Sequence, residues 1–264
     1  MFVSCSNSSP DFRGFTLILP AVSVGNVGQL AADLIISTLD MTKVGYIYTD
    51  CLVPVVGNNP YATSEENAPE LSINAEVYSL ATKKLAVIQI RSPIVKNKSR
   101  SFCQLLISWV KKNGFGRVVL LSSSHAYQRD DQQLAGTPFR YLLTPALQST
   151  VGDLMQKLDW KLLESMVAFP GVSEAEKCII IPGGGITKRL YTDSCTEEIP
   201  LAVLLKFCSE GDNMPDAFAL VNYLNEWLQL VQCTNSDGTM ASTKWKVPSS
   251  WRLLFGSGLP PVLF

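Results

Sequence analysis

Along the chain, short apolar runs typical of strands take turns with segments whose apolar residues recur at helical spacing. This pattern predicts strands and helices in alternation. Residues 15–19 form a short apolar run that ends at Pro20, which is typical of a buried strand. Residues 27–39 then place apolar side chains on one face of a helix. Further strands are predicted at 44–48, 52–56, 73–80, 85–91, 117–121, 178–181 and 201–205, and further helices at 101–112, 154–164, 187–195 and from 215 onward.

This order of elements predicts an α/β fold. Strands that alternate with helices favour parallel strands with helices on both faces of one sheet. The strands at 73–80 and 85–91 are separated by four residues only, so they are expected to form a hairpin or two edge strands with one polar face. No linker-like stretch and no internal repeat divides the chain. We therefore predict a single three-layer domain with a central, mostly parallel sheet over residues 1–244, followed by a C-terminal segment, 245–264.

The chain contains few charged residues, and this bears on the kind of partner it could have. The 22 Lys and Arg residues against 23 Asp and Glu give a net charge of −1, so no electrostatic field favours nucleic acid or an anionic membrane as a partner. Charged residues make up 17% of the chain, and the mean hydropathy is +0.16. No run approaches the ~20 apolar residues that a membrane span needs. The apolar surplus fills either one large core or an interface with another protein.

Cysteine and histidine usage predicts neither disulfides nor a metal site. The seven cysteines are scattered without a C-x-x-C spacing, and the chain has one histidine. Cys103, Cys178 and Cys208 lie in apolar segments, where a free cysteine behaves as a small hydrophobic residue. The first residues lack the pattern of a signal peptide. We therefore expect a reducing compartment, the cytosol or the nucleus.

Two glycine-rich turns are the candidates for ligand binding. Gly25-Asn26-Val27-Gly28 lies between a predicted strand and a helix, and Pro182-Gly183-Gly184-Gly185 follows another predicted strand. Backbone amides in such turns can hold a phosphate. Neither turn has the spacing of a dinucleotide-binding loop or of a P-loop. A tight turn with close helix packing is the favoured interpretation, and a phosphate-binding enzyme is the alternative.

Nucleophilic catalysis has little support in the sequence. His125 is the only histidine, so any Ser–His or Cys–His mechanism would have to use it. Ser122, Ser123 and Ser124 precede it, but the chain has no G-x-S-x-G element. We therefore predict no catalytic residue, no metal and no cofactor, and we interpret His125 as a loop residue.

The chain ends in an apolar segment that carries a free carboxylate. Pro260 and Pro261 favour an extended polyproline conformation, and Val262, Leu263 and Phe264 follow them. Three large apolar side chains next to one anion fit a pocket with a hydrophobic wall and a cation. The hypothesis is a tail that docks on another protein. The alternatives are a frayed end that happens to be apolar and a last segment that packs against its own domain.

Three short segments, taken in order, resemble the proteasome assembly chaperone family. They are residues 24–31, which include Gly25, Asn26 and Gly28; residues 182–188, which include Gly183, Gly184 and Gly185; and residues 210–217, which include Gly211, Asp212 and Asn213. The resemblance covers essentially the whole chain. It implies one α/β domain in the style of nucleoside phosphorylases, and no catalysis.

The resemblance also implies partners. It implies an obligate heterodimer with proteasome assembly chaperone 1, which binds the α-type subunits of the proteasome core particle. The pair is expected to help close the α ring and to prevent two α rings from pairing, in the cytoplasm and nucleus. No cofactor, nucleic acid or membrane is implied.

The family's terminal motif is similar to this chain's tail at two of three positions. The motif consists of a hydrophobic residue, a tyrosine and any residue with the terminal carboxylate. Val262 matches the first position and Phe264 the last, while Leu263 replaces the tyrosine. The replacement removes a hydroxyl, whose hydrogen bond contributes about 0.5–1.5 kcal/mol. The resemblance therefore implies a docking role for the tail without an effect that depends on the tyrosine.

Overall fold

The structure is a computed structural model that describes residues 2–6, 9–63, 67–167, 177–231 and 244–253. Its α-helices are α1 (Val27–Thr38), α2 (Ser99–Asn113), α3 (Asp131–Leu134), α4 (Pro145–Lys157), α5 (Thr187–Thr196) and α6 (Met214–Leu228). Its strands are β1 (Phe2–Ser4), β2 (Thr16–Pro20), β3 (Thr42–Ile47), β4 (Val56–Asn58), β5 (Leu71–Ile73), β6 (Ala75–Leu80), β7 (Leu85–Ile90), β8 (Arg117–His125), β9 (Phe139–Leu143), β10 (Met166–Val167), β11 (Lys177–Cys178) and β12 (Leu201–Cys208).

Eight of these strands form the central sheet, in the order β1-β3-β6-β7-β2-β8-β12-β9. The four central strands β7, β2, β8 and β12 are parallel to one another, as predicted from the alternation of strands and helices. The sheet continues with antiparallel pairs on both sides, through β6, β3 and β1 on one side and through β9 on the other. The predicted hairpin is confirmed as β6 and β7.

Helices cover both faces of the sheet and create two hydrophobic layers. On one face, α1, α4 and α6 contribute buried side chains such as Leu34 and Leu220. On the other face, α2 and α5 contribute Phe102 and Leu190. The single three-layer α/β domain predicted from the sequence is therefore confirmed. No helix within the described ranges has both the length and the apolar character that crossing a membrane requires.

Four predicted elements differ from the structure. Of the predicted strand at 52–56, only Val56 lies in a strand, β4, while Leu52 forms an isolated bridge with Ile94. Strand β8 continues through Ser122–His125, where the polar sequence indicated a loop, because the serine hydroxyls are hydrogen-bonded within the protein. Helix α4 occupies residues 145–157 instead of 154–164. Thr144 precedes the helix with an extended backbone, and Pro145 begins it, as a proline in the first turn often does. Of the predicted strand at 178–181, only Cys178 lies in a strand, β11.

Two of the three cysteines expected to behave as hydrophobic residues are fully enclosed. Cys103 is 0% exposed on α2, and Cys208 is 3% exposed at the end of β12, while Cys178 is partly exposed. Burial raises the pKa of the Cys103 thiol to about 12 and that of Cys208 to about 11. Both thiols therefore stay protonated and unreactive at neutral pH.

A buried arginine fixes the outer strand β9 to the segments around it. The side chain of Arg140 is 0% exposed, and its Nε donates to the Glu164 carboxylate at 2.8 Å. Its terminal nitrogens donate to backbone carbonyl oxygens, including those of Thr137 at 2.8 Å and Gln133 at 3.3 Å. A charge this deeply buried is tolerated only when it is paired and hydrogen-bonded.

Replacing Glu164 with glutamine should therefore destabilise the fold strongly. The change leaves the buried Arg140 guanidinium without its anion, which we expect to lower the free energy of unfolding by about 3 kcal/mol. Glu197→Gln is the matched control, because Glu197 pairs with Lys111 where both side chains are about half exposed. The control should cost under about 1 kcal/mol. Urea unfolding followed by circular dichroism measures both, and equal losses would contradict the prediction.

Candidate functional site

The three segments that carry the family resemblance meet at one edge of the sheet. The first segment follows β2, the third follows β12, and the second leads into α5. The backbone N–H of Val24 donates to the Gly183 carbonyl at 2.8 Å, which joins the first segment to the second. The Asn213 side chain lies against Gly25, which joins the third to the first. The fold thus brings residues almost two hundred positions apart together at the carboxyl ends of the central strands.

The first segment turns the chain from β2 into α1 with very little space. Gly25 has φ +67° and Asn26 has φ +52°, both in the left-handed region. A Cβ atom on Gly25 would lie 2.6 Å from the Asn213 Oδ1 atom, and one on Gly28 would overlap the Leu121 carbonyl oxygen. The glycines therefore allow the start of α1 to approach β8 and the third segment directly.

The second segment lies over the ends of β2 and β8. The Pro182 carbonyl accepts from the His125 N–H at 3.1 Å and from the Ser124 hydroxyl at 2.8 Å. On the other side, the Ile186 N–H donates to the Ala21 carbonyl at 3.2 Å. Gly185 has φ +57°, and a Cβ there would overlap the carbonyl oxygens that follow β2. These bonds hold the segment as a cover on the two strand ends.

The third segment begins helix α6. The Asn213 side-chain amide donates to the Ser209 carbonyl at 2.7 Å and to the Asp216 carboxylate at 3.0 Å. Asp216 also pairs with Lys206 of β12 at 2.9 Å. Asp212 accepts from the N–H of the first helical residue at 3.0 Å, and Gly211 adopts φ +146°. Asp212 and Asn213 thus contribute hydrogen bonds that set the start of the helix.

Buried hydroxyl groups connect the first two segments to strand β8. The hydroxyls of Ser23 and Ser123 are 2.7 Å apart, and Ser123 donates onward to the Val24 carbonyl at 2.5 Å. The hydroxyl of Ser122 lies 2.6 Å from that of Thr187 at the start of α5. Because these groups already have partners in the protein, the serines before His125 serve as internal connections.

This edge is where an open α/β sheet usually binds a ligand. Ligands occupy the crevice at the carboxyl ends of neighbouring strands whose connections leave in opposite directions. In this sheet the chain leaves β2 toward β3 on one side and leaves β8 toward β9, beyond β12, on the other, so the crevice falls between β2 and β8. Residues 182–187 fill that place, and the amide of Val24 already donates to Gly183. The two glycine-rich turns bind each other where a phosphate would have to enter.

A buried carboxylate organises the neighbouring face of the sheet. Asp33, 5% exposed on α1, accepts from the Tyr61 hydroxyl at 2.6 Å, the Gln89 amide at 2.7 Å and the Arg91 guanidinium at 2.8 Å. Burial raises the pKa of Tyr61 well above its usual value, and the charge of Asp33 raises it further. The hydroxyl therefore remains a donor to the carboxylate. The sequence offered one signal for this cluster, a lone acidic residue on the apolar face of a helix.

The described part of the C-terminal segment packs against this face. Trp251 is 5% exposed, and its indole N–H points to the Asp33 carboxylate at 3.4 Å. The indole N–H of Trp245 donates to Asn222 of α6 at 2.8 Å. The Ser250 N–H donates to the Pro60 carbonyl at 3.2 Å. The proposed docking residues Val262, Leu263 and Phe264 lie outside the described residues.

Large apolar side chains are exposed at the same edge of the sheet and on the separate β4–β5 pair. Tyr48, which follows β3, is 73% exposed, and Tyr127, which follows β8, is 74% exposed. Val56 of β4 and Leu71 of β5 are 67% and 60% exposed. Tyr48 and Tyr127 follow strands that end at this edge, while Val56 and Leu71 belong to the separate β4–β5 pair. Such a concentration of exposed apolar groups marks a surface for interaction.

Comparison with known proteins identifies the relatives of this chain. The model of the PAC2 family matches residues 17–237. A human protein named proteasome assembly chaperone 2 is 63% identical over 264 residues, which is 100% of both chains. A mouse protein of the same name is 64% identical over 265 residues, again with 100% of both chains covered.

Solved structures show the same fold at low sequence identity. The Pyrococcus furiosus protein PbaA, described as an archaeal homolog of proteasome-assembly chaperone, superposes with a TM-score of 0.61 at 18% identity. The match covers 88% of this chain and 87% of PbaA. The arrangement of strands and helices is therefore shared with a distant protein although few side chains are.

Gly28→Ala tests the close packing at this edge. The added methyl group would overlap the Leu121 carbonyl, so α1 has to shift away from β8, which we expect to lower the free energy of unfolding by about 1–3 kcal/mol. Gly57→Ala in β4 is the matched control, because nothing lies within 4 Å of its added Cβ. The control should stay within about 0.5 kcal/mol of the unchanged protein in chemical denaturation. Equal stability of the two variants would argue against the tight junction.

Proposed function

The chain belongs to the PAC2 family, and from this premise we propose that it is a proteasome assembly chaperone. The observation that carries the proposal is its 63% identity, over the full length of both chains, to a human protein named proteasome assembly chaperone 2. Because the match leaves no part of either chain uncovered, the role named for the relative is the best-supported role for this chain.

We propose further that the protein works as a heterodimer with proteasome assembly chaperone 1. The pair would bind α-type subunits, promote closure of the α ring and prevent two α rings from pairing. Two observations support a surface role: charged residues make up only 17% of the chain, and large apolar side chains are exposed at the carboxyl-end edge. Apolar surface of this kind is covered in a permanent complex.

The proposed activity requires no reaction and no cofactor. Its support is the crevice between β2 and β8, where residues 182–187 occupy the usual ligand position. The chaperone would act by covering a surface of the α ring, because a covered surface is unavailable to a competing subunit. We place this action in the cytoplasm and nucleus, where proteasome precursors would be met.

The tail is proposed to dock between α subunits. Its anchor supports this role, since Trp251 and Ser250 hold the preceding segment against α1 and Pro60. Because the start of the tail is anchored, its end can reach only a small volume. When the domain is bound to the ring, this raises the effective concentration of the tail at the ring. With a tail from each partner, binding of one would place the other near its site. Apolar burial and an ion pair between the terminal carboxylate and a lysine would supply the affinity.

Deletion of Val262–Phe264 tests the docking role. Burial of each large apolar side chain contributes about 1.5–3 kcal/mol, so loss of all three should weaken binding to α-ring particles roughly a hundredfold or more. The fold and the heterodimer should be unaffected. Surface plasmon resonance gives the affinity, and size exclusion of the coexpressed pair serves as the control. Ring binding that survives the deletion unchanged would reject the role of the tail.

Leu263→Tyr tests whether the missing hydroxyl limits affinity. If the ring offers a hydrogen-bond partner at that position, the variant should bind about two- to tenfold more tightly, in line with about 0.5–1.5 kcal/mol for one bond. Leu263→Phe is the matched control, because it adds the ring without the hydroxyl. Equal binding by the two aromatic variants would show that the hydroxyl has no partner.

A further inference from the structure

An uncharged apolar surface lies beside strand β4. Residues 53–58, with the sequence Val-Pro-Val-Val-Gly-Asn, are all exposed and contain no charged side chain. Together with Leu71 of β5 they form a surface that we call the β4 surface. Its large side chains, with their exposed fractions, are Val53 (37%), Val55 (41%), Val56 (67%) and Leu71 (60%).

The pairing of β4 with β5 arranges these side chains on one face. Val56 pairs with Ile73 and Asn58 pairs with Leu71 in antiparallel register. Val56 and Leu71 are therefore diagonal neighbours on the same face, close enough for one apolar chain to cover both. Among the residues that the structure describes, β4 pairs only with β5, so its outer edge is available to a further extended segment.

The C-terminal segment comes next to this surface before the described chain ends. The Ser250 N–H and the Ser249 hydroxyl both donate to the Pro60 carbonyl, at 3.2 Å and 3.0 Å. Pro60 lies two positions beyond the last residue of β4. The chain leading to the tail is therefore fixed within a few residues of the β4 surface.

Residues 254–264 have the length and the composition to cover this surface. Eleven residues can span up to about 35 Å, which exceeds the size of a two-stranded hairpin face. Their sequence, Leu-Phe-Gly-Ser-Gly-Leu-Pro-Pro-Val-Leu-Phe, has no charged side chain. The Gly-Ser-Gly stretch allows the chain to turn back. The one charge of the tail is the carboxylate of Phe264 at its very end, which can stay in water while the apolar side chains before it cover the surface.

We propose that residues 254–264 lie on the β4 surface of their own chain when no other protein holds them. The contact covers apolar groups on both sides, and the short connection from Ser250 gives the tail a millimolar effective concentration there. A contact of this kind is weak enough to be displaced. Any other partner of the tail then has to compete with the tail's own domain, which lowers its apparent affinity.

Photo-crosslinking of the purified full-length chain tests the location. With p-benzoylphenylalanine in place of Leu263, irradiation should link the tail to peptides that contain residues 53–58 or 71–73. An equal mixture of isotope-labelled and unlabelled chains should give these links within one chain. Crosslinks only between labelled and unlabelled chains would assign the surface to a second copy and overturn the proposal. Crosslinks only to other peptides, or no crosslinks, would overturn it as well.

Variants of the surface supply the matched comparison. Val56→Asp combined with Leu71→Asp places charge where the tail would lie, and it should reduce these crosslinks at least fivefold. Leu134→Asp is the control, because Leu134 is 54% exposed on α3, away from β4. It should leave the crosslinks unchanged. If the double variant fails to fold, Val53→Asp with Val55→Asp serves the same purpose, and retained crosslinks in a folded variant would reject the contact.

Hydrogen exchange provides a readout without a probe. A chain that ends at residue 253 should exchange the amides of residues 53–58 and 71–73 about two- to tenfold faster than the full chain, because a millimolar local concentration covers a weak site for only part of the time. Equal exchange in the two chains would overturn the proposal. No proteasome subunit is present in these experiments, so their failure would leave the proposed chaperone function untouched.

Discussion

The close approach of the second segment to the carboxyl ends of β2 and β8 is the constraint on which the rest of the structure depends. Residues 182–187 can lie there only because Gly183 and Gly185 have left-handed backbones and because Gly185 has no Cβ to meet the carbonyls after β2. Once in place, the segment receives hydrogen bonds from Val24, Ser124 and His125. It thereby sets the direction in which both α1 and α5 leave the sheet edge.

This constraint explains how an α/β fold of ligand-binding type can serve as a binding surface. In such folds the crevice at the strand ends is open because a ligand must enter it. Here the chain's own backbone satisfies the donors and acceptors at that place, and buried serine hydroxyls complete the network. The edge is thereby closed, and the segments that follow its strands carry exposed apolar side chains such as Tyr48 and Tyr127.

The sequence predicted the layers of the fold well and the details of this edge poorly. Periodicity located β2, α1 and the β6–β7 hairpin because their apolar positions are regular and their lengths ordinary. It failed at Ser122–Ser124, because hydroxyls satisfied by distant partners look like loop residues until the partners are known. The anchoring of Trp251 on Asp33 joins positions more than two hundred residues apart, so no local pattern could reveal it. Glycine positions signalled the junction, and only the structure identified their neighbours.

The two parts of the C-terminal segment, the anchor at Trp251 and the tail at residues 254–264, differ in how they relate to the charged groups of the domain. A charge such as Asp33 costs several kcal/mol to bury unless donors surround it, and Tyr61, Gln89 and Arg91 supply those donors within the domain. Trp251 adds one longer bond and a large packed surface, so it is held by the domain whatever the tail does. Residues 254–264 carry no charged side chain, and the one anion of that segment is the terminal carboxylate. In the proposed docking role, the fixed indole would therefore let the tail change partners without disturbing Asp33 and its donors.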